Sequence, residues 1–197
     1  MKKKTYLAAA LFLGAAALSP VEVAQAQDNT GWVTLLNLSN LDNWNRVGDA
    51  NWTLTDGALQ ANAGGGHLVS KESYGNFQIR AEIWVDPEAN SGIFIRCANG
   101  AMPGADSCYE VNIYDKRPGQ EFATGAIVNV APVKQPPPQA GNRWNVLEIT
   151  ARGAQLTVTL NGEQTVNVQD MKHARGPFTL QYGGGLVKFR DVKIRPL

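Results

Sequence analysis

Apolar and polar residues alternate one by one along much of this chain beyond residue 30. In FQIRAEIWV (77–85), Phe77, Ile79, Ala81, Ile83 and Val85 alternate with Gln78, Arg80, Glu82 and Trp84. The same period runs through 91–97, where Ile93 and Ile95 alternate with Gly92, Phe94 and Arg96. It returns at 109–115, where Tyr109, Val111 and Ile113 alternate with Glu110, Asn112 and Tyr114. A period of two belongs to strands whose faces meet different surroundings. Further strands are expected at 32–36, 52–54, 58–61, 124–130, 144–151, 155–161, 164–168, 177–182 and 186–194. Thr55-Asp56-Gly57 and Asn161-Gly162 are hairpin signals between them. Pieces at 38–41 and 169–173 read as helical turns, and no segment sustains a 3.6-residue period. Short strands punctuated by Gly and Pro predict an all-β sandwich. The Pro-rich stretch 131–143 reads as a stiff rim loop rather than a linker.

The first 26 residues change the picture of where the protein works. Lys2, Lys3 and Lys4 precede an apolar run from Leu7 to Leu18, and Ala24-Gln25-Ala26 supplies a small-x-small cleavage site. This is the layout of an export signal peptide, with an apolar run too short for a membrane span. The remainder, 27–197, is expected to be a single domain, periplasmic or secreted, with no membrane insertion after cleavage. Residues 1–26 carry three lysines and Glu22, so of the chain's +1 the remainder holds −1. That balance gives no electrostatic case for nucleic acid as a partner. Cys97 and Cys108 are the only cysteines. In an oxidising compartment they are expected to pair, closing a loop for roughly 3 kcal/mol. Free thiols or metal ligands are the alternatives.

If the strands at 77–85, 91–97 and 109–115 are neighbours, Glu82, Arg96, Glu110 and Asn112 share one polar face. Two carboxylates and a guanidinium there suffice for acid–base work and anchoring of a substrate. A solvated sheet face carries the same pattern. Trp84 falls on the polar side and is the sugar-stacking candidate, whereas Trp32, Trp44 and Trp144 read as core. Asp115 ends its strand and reads as a ligand contact or as turn chemistry. His67 and His173 stand in loop-like contexts without ligand spacing and read as surface residues. The glycine triplets lack a following P-loop Lys-Ser/Thr, and no GxSxG elbow is present.

Several motifs together resemble a known family. They are GWVTLLNLSNLDNW (31–44), WTLTDGAL (52–59), GGGHLVSKESYGNF (64–77), AEIWVDPEANSGIFIR (81–96), YEVNIYD (109–115), TGAIVNVAP (124–132), RWNVLEI (143–149), LNG (160–162), GPFTLQ (176–181) and VKFRDVKIRPL (187–197). In this order they resemble the 3-keto-disaccharide hydrolase family, the 3-keto-glucoside 1,2-lyase/hydratases. The NSGIF-x-R and YEV-x-x-x-D segments are the most specific. The resemblance implies a concanavalin A-like jelly roll of two antiparallel sheets with a ligand groove on one of them. It implies an exported enzyme that cleaves oxidised (3-keto) oligosaccharides or glycosides by C2 deprotonation, elimination and hydration.

Glu82 and Glu110 are then the acid–base candidates, with Arg96 to stabilise the enolate. Asn90, Asn112, Asp115, Trp84 and Gln181 are the substrate-binding candidates. No cofactor is fixed, although a divalent metal is used by some related sugar enzymes. The chain departs from the family at Leu180-Gln181-Tyr182-Gly183-Gly184, where many members continue with Asp-His-Gly, and at Val128, where a tyrosine is common. His67 and Tyr182 are the candidates to stand in for the missing histidine. A non-catalytic, lectin-like carbohydrate-binding module of the cell envelope is the alternative function, and an envelope structural domain without a sugar site the plainest one.

Overall fold

The computed structural model describes residues 30–197, so the expected leader lies outside the described residues. Thirteen strands appear in chain order: β1 Val33–Thr34, β2 Trp44–Gly48, β3 Thr53–Thr55, β4 Ala58–Ala61, β5 Gly66–Ser70, β6 Phe77–Val85, β7 Asn90–Ile95, β8 Tyr109–Ile113, β9 Trp144–Arg152, β10 Gln155–Leu160, β11 Glu163–Gln169, β12 Thr179–Gly184 and β13 Val187–Pro196. They form two antiparallel sheets. One has the order β11-β10-β9-β6-β13-β4-β3, with β1 also on β13, and the other β2-β5-β12-β7-β8. The all-β sandwich expected from the alternation is the observed fold. No helix of the described residues is long and apolar enough to cross a membrane.

The period of two explains the core. Phe77, Ile79, Ala81, Ile83 and Val85 of β6 point inward, each at most 2% exposed. Opposite them stand Ile93 and Ile95 of β7, Tyr109, Val111 and Ile113 of β8, and Leu180 of β12, all in the same apolar cluster. In β13 the inward set changes parity, from Val187 and Phe189 to Val192 and Ile194. The register shifts between Arg190 and Lys193, with Asp191 at φ 47°. An extra residue there keeps apolar side chains inward on both halves of the strand. Asp56-Gly57 and Asn161-Gly162 all have positive φ, as tight hairpin turns require.

Three expectations are corrected. Residues 124–130 are not a strand but a folded loop on the β8 edge, turned at Gly125 (φ 88°) and Asn129 (φ 61°). It is held by Asn112 N–H to Ala126 O, Gly125 N–H to Asn112 O and Val128 N–H to Glu110 O. Neither 38–41 nor 169–173 is helical. Two strands without apolar alternation, β2 and β5, escaped the pattern, and β5 carries His67.

Cys97 and Cys108 form the disulfide, packed on Phe94. No described cysteine is free. The adjoining chain is close-packed, because a Cβ at Gly176 would lie 2.1 Å from Cys97 O.

Candidate functional site

The sheet order separates residues that strand parity alone placed together. β6 belongs to the larger sheet, whereas β7 and β8 belong to the smaller one. Glu82 therefore lies across the sandwich from Glu110. On the larger sheet's outer face Glu82 pairs with Arg190 at 2.7 Å and Arg80 at 3.7 Å. Trp84 is on that face too, with Lys188 Nζ 5.2 Å from its ring centroid. Trp144 joins it rather than the core, with the Arg190 guanidinium 3.9 Å from its centroid.

Arg96 is on neither outer face. At φ 52° it turns off the end of β7, and the whole residue is 1% exposed. Its Nε donates to Gly75 O at 2.8 Å, and Nη1 donates to Gly153 O at 2.8 Å and His173 O at 3.3 Å. Nη2 donates to Asn76 Oδ1 at 3.4 Å. The guanidinium thus clasps three separate loops at one end of the sandwich. It lines a cavity of about 180 Å³ there with Asn76, Met171 and His173.

Asp115 acts as a staple beyond the end of β8. Its carboxylate accepts from Thr124 Oγ1 at 2.6 Å, Ala140 N at 2.9 Å and Gly141 N at 2.8 Å. These bonds tie the Pro-rich loop beside the smaller sheet and use up the oxygens of Asp115.

What remains is the outer face of the smaller sheet. Antiparallel register aligns Val47, His67, Gln181, Gly92 and Asn112 in one row across β2, β5, β12, β7 and β8. The neighbouring row is Asn45, Val69, Thr179, Phe94 and Glu110. Directly paired residues share a face, so these side chains are neighbours. Asn90 shares their parity at the start of β7 and lies against Gly183, whose added Cβ would be 2.9 Å from Asn90 Nδ2. The structure thus brings Asn90, Asn112, Glu110 and Gln181 to one face, and leaves Glu82, Trp84, Arg96 and Asp115 off it.

The polar groups on this face are poorly paired. Glu110 is 9% exposed and makes no salt bridge or side-chain hydrogen bond among the described residues. Burial pushes its carboxyl above the ordinary value, and the charge of Arg117 draws it only partly back. Asn112 Nδ2 donates to Phe122 O at 2.6 Å, while its Oδ1 is buried without a partner. Gln181 Oε1 is likewise buried and unpaired. It stands 3.3 Å from where a Gly92 Cβ would be, so a side chain at 92 would push on this amide. Buried unpaired acceptors cost about 1–3 kcal/mol each, so they are rare unless a site needs them.

His67, expected from its context to be a surface residue and named with Tyr182 only as a stand-in for the missing histidine, lies on this face. It is 9% exposed, not a surface residue, and its Nδ1 lies 2.9 Å from Thr179 Oγ1. Its ring meets Phe94 edge-on at 5.0 Å between centroids. Burial lowers its pKa to about 4, so the imidazole is neutral. Tyr182 faces the core instead, donating its O–H to Gly185 O at 2.9 Å. His173 is also buried, at 8% exposed, but at the Arg96 end of the sandwich. The register of β5 against β12 was the missing signal. Among the described residues no group of three or more His, Cys, Asp or Glu side chains is arranged to hold a metal ion.

Residues 31–195 match the family described as the 3-keto-alpha-glucoside-1,2-lyase-like domain. No match was found among curated protein sequences. In three dimensions the chain is similar to a glycosyl hydrolase-like protein from Parabacteroides distasonis, with a TM-score of 0.77 and 19% identity over 85% of this chain and 94% of that one. A second such protein from that organism gives 0.72 and 24% over 84% and 99%. A carbohydrate-binding module from Bacillus subtilis gives 0.63 and 20% over 78% and 95%. At these identities the likeness is one of fold.

Proposed function

The chain belongs to the 3-keto-alpha-glucoside-1,2-lyase-like family, and from that premise we propose that it cleaves 3-keto-glycosides on the outer face of its smaller sheet. The observation that carries this reading is Glu110, a nearly buried carboxyl without an ionic partner beside unpaired amide groups. A ketone at C3 of a sugar acidifies the hydrogen on C2. Removing that proton gives an enolate, and its collapse expels the oxygen on C1 and leaves an enone. The departing oxygen takes up a proton, and water then adds at C1 with a proton returning to C2. The reaction needs a base, an acid and donors for the enolate oxygen.

Glu110 suits proton transfer because burial raises its carboxyl toward working pH. Gln181, whose side-chain N–H groups make no hydrogen bond among the described residues, is the candidate donor to the enolate oxygen. Asn90 is the candidate to bind or orient hydroxyls, whereas Asn112, fully buried and donating to Phe122 O, would support the face from beneath. This reading assigns no chemistry to Glu82 or Arg96, which are held by partners elsewhere. The Cys97–Cys108 disulfide supports work in an oxidising compartment, periplasmic or secreted.

The test is turnover of 3-keto-disaccharides such as 3-keto-trehalose and 3-keto-sucrose by the purified protein. Release of 3-keto-glucose, or an enone intermediate, is the expected result. The fold likeness to a carbohydrate-binding module favours a second reading, binding without turnover. Saturable binding of these sugars with no product would select it. Neither binding nor turnover would rule out both for these substrates.

A further inference from the structure

Two groups able to carry a proton face each other across one aromatic ring on the smaller sheet. Phe94 of β7 is the register partner of Glu110 on β8 and of Thr179 on β12. His67 comes from β5, three strands away from β8, a backbone separation of about 14 Å at ordinary strand spacing. Its ring nevertheless reaches over Thr179 to the Phe94 ring, with 5.0 Å between the centroids. Glu110 and His67 therefore flank Phe94 from opposite sides. Thr179 Oγ1 fixes the imidazole through Nδ1 at 2.9 Å, and Nε2 has no partner among the described residues. The residue keeps 9% of its surface exposed.

We propose that His67 Nε2 is the base that takes the C2 proton, and that Glu110, on the far side of Phe94, gives a proton to the departing C1 oxygen. This assignment rests on the 3-keto-glycoside reading and deepens it by dividing the roles. The C2–H bond breaks, its proton goes to Nε2, and its electron pair passes into the enolate. Re-forming the C3 carbonyl makes the C1–C2 double bond and breaks the C1–O bond, and the oxygen takes the Glu110 proton. Addition of water to C1 then returns one proton to Glu110 and one from His67 to C2. Protons balance over the cycle, and no oxidant or reductant is needed.

The electrostatics of the two sites agree with this division. Burial keeps His67 unprotonated, with a pKa of about 4, as a base must be. Burial raises the Glu110 carboxyl, which favours the proton-carrying form an acid needs. An Asp of similarly modest basicity serves as the base in ketosteroid isomerase, where the proton removed is also next to a carbonyl.

The test separates C2 deprotonation from bond cleavage. Wild type, Glu110→Gln, His67→Ala and His67→Gln are each incubated with 3-keto-trehalose in D2O, following deuterium at C2 and release of 3-keto-glucose by NMR. His67→Gln keeps an amide able to hydrogen-bond Thr179, and melting curves check that each variant is folded. Glu110→Gln is expected to retain C2 exchange while cleavage falls at least about 100-fold. Both His67 variants are expected to lose exchange and cleavage together. Exchange persisting at the wild-type rate in His67→Gln overturns the assignment, as does loss of exchange in Glu110→Gln but not in His67→Gln. A wild-type protein that neither exchanges nor cleaves overturns the parent reading, and this inference with it.

Discussion

The outer faces of the two sheets carry similar residues in opposite states. On the larger sheet Glu82 is bound to Arg190 and Arg80, and Arg80 in turn to Asp191 at 2.5 Å. Lys193 reaches Asp191 at 3.2 Å, and Lys188 stands over Trp84. On the smaller sheet Glu110 has no ion pair, and Gln181 and Asn112 each keep a buried oxygen unpaired. One face pairs Glu82 and Asp191 with cations. The other keeps polar groups in reserve at a cost in stability. Two glutamates with the same sequence credentials are therefore separated by what surrounds them.

Changes that break this contrast should differ in kind. The largest effect on stability is expected from Arg96→Ala. It strips donors from Gly75 O, Gly153 O and His173 O and leaves a cavity, for a loss of at least about 3 kcal/mol in denaturant unfolding. Removal of the disulfide by C97S/C108S is expected to cost about 3 kcal/mol by the same measurement. Gly92→Ala is expected to cost about 1–3 kcal/mol, because its Cβ meets Val111 O at 3.1 Å, the Phe94 ring at 3.2 Å and Gln181 Oε1 at 3.3 Å. Unlike the other two, it should also reduce turnover, by moving Gln181. Glu82→Gln should change stability by less than about 1 kcal/mol, since its ion pairs are partly exposed.

Titration sharpens the contrast further. A carboxyl whose folded-state pKa is raised binds its proton more tightly in the folded protein, so its effect on stability worsens as pH rises through that raised value. Glu110→Gln should therefore melt higher than wild type at neutral pH, with the gap closing on acidification below the ordinary carboxylate range. His67 has the opposite dependence. Its folded pKa is lowered to about 4, so its stability is fully present above the ordinary imidazole range and is lost as pH falls toward that value. His67→Gln should flatten the acid limb of the melting temperature between roughly pH 6.5 and 4.

The alternation in 77–85, 91–97 and 109–115 was enough to show strands, their inward residues and a two-sheet sandwich. It could not show which strands are neighbours. Parity puts Glu82 and Glu110 each on an outward face, but β6 and β8 pair in different sheets through contacts distant in sequence. Arg96 follows Gly92 and Phe94 in phase, and nothing in IRCANG announces that it turns to positive φ and folds away from that face. His67 was named as a stand-in for the missing histidine, but its strand and its burial were not legible. GHLVS has four successive buried residues after its glycine, so no polar alternation marks it as a strand. Only its pairing with β12 places the imidazole beside Gln181. Of the candidates named from the sequence, the register gathers Glu110, Asn90, Asn112 and Gln181 on one face and leaves Glu82, Trp84, Arg96 and Asp115 off it.

The most direct measurement is 3-keto-trehalose turnover by Glu110→Gln and Glu82→Gln, assayed side by side with wild type. The two faces predict a loss of about 100-fold or more for Glu110→Gln and a wild-type rate for Glu82→Gln. A comparable loss in Glu82→Gln, or an unimpaired Glu110→Gln, would contradict the assignment of the smaller sheet as the working face.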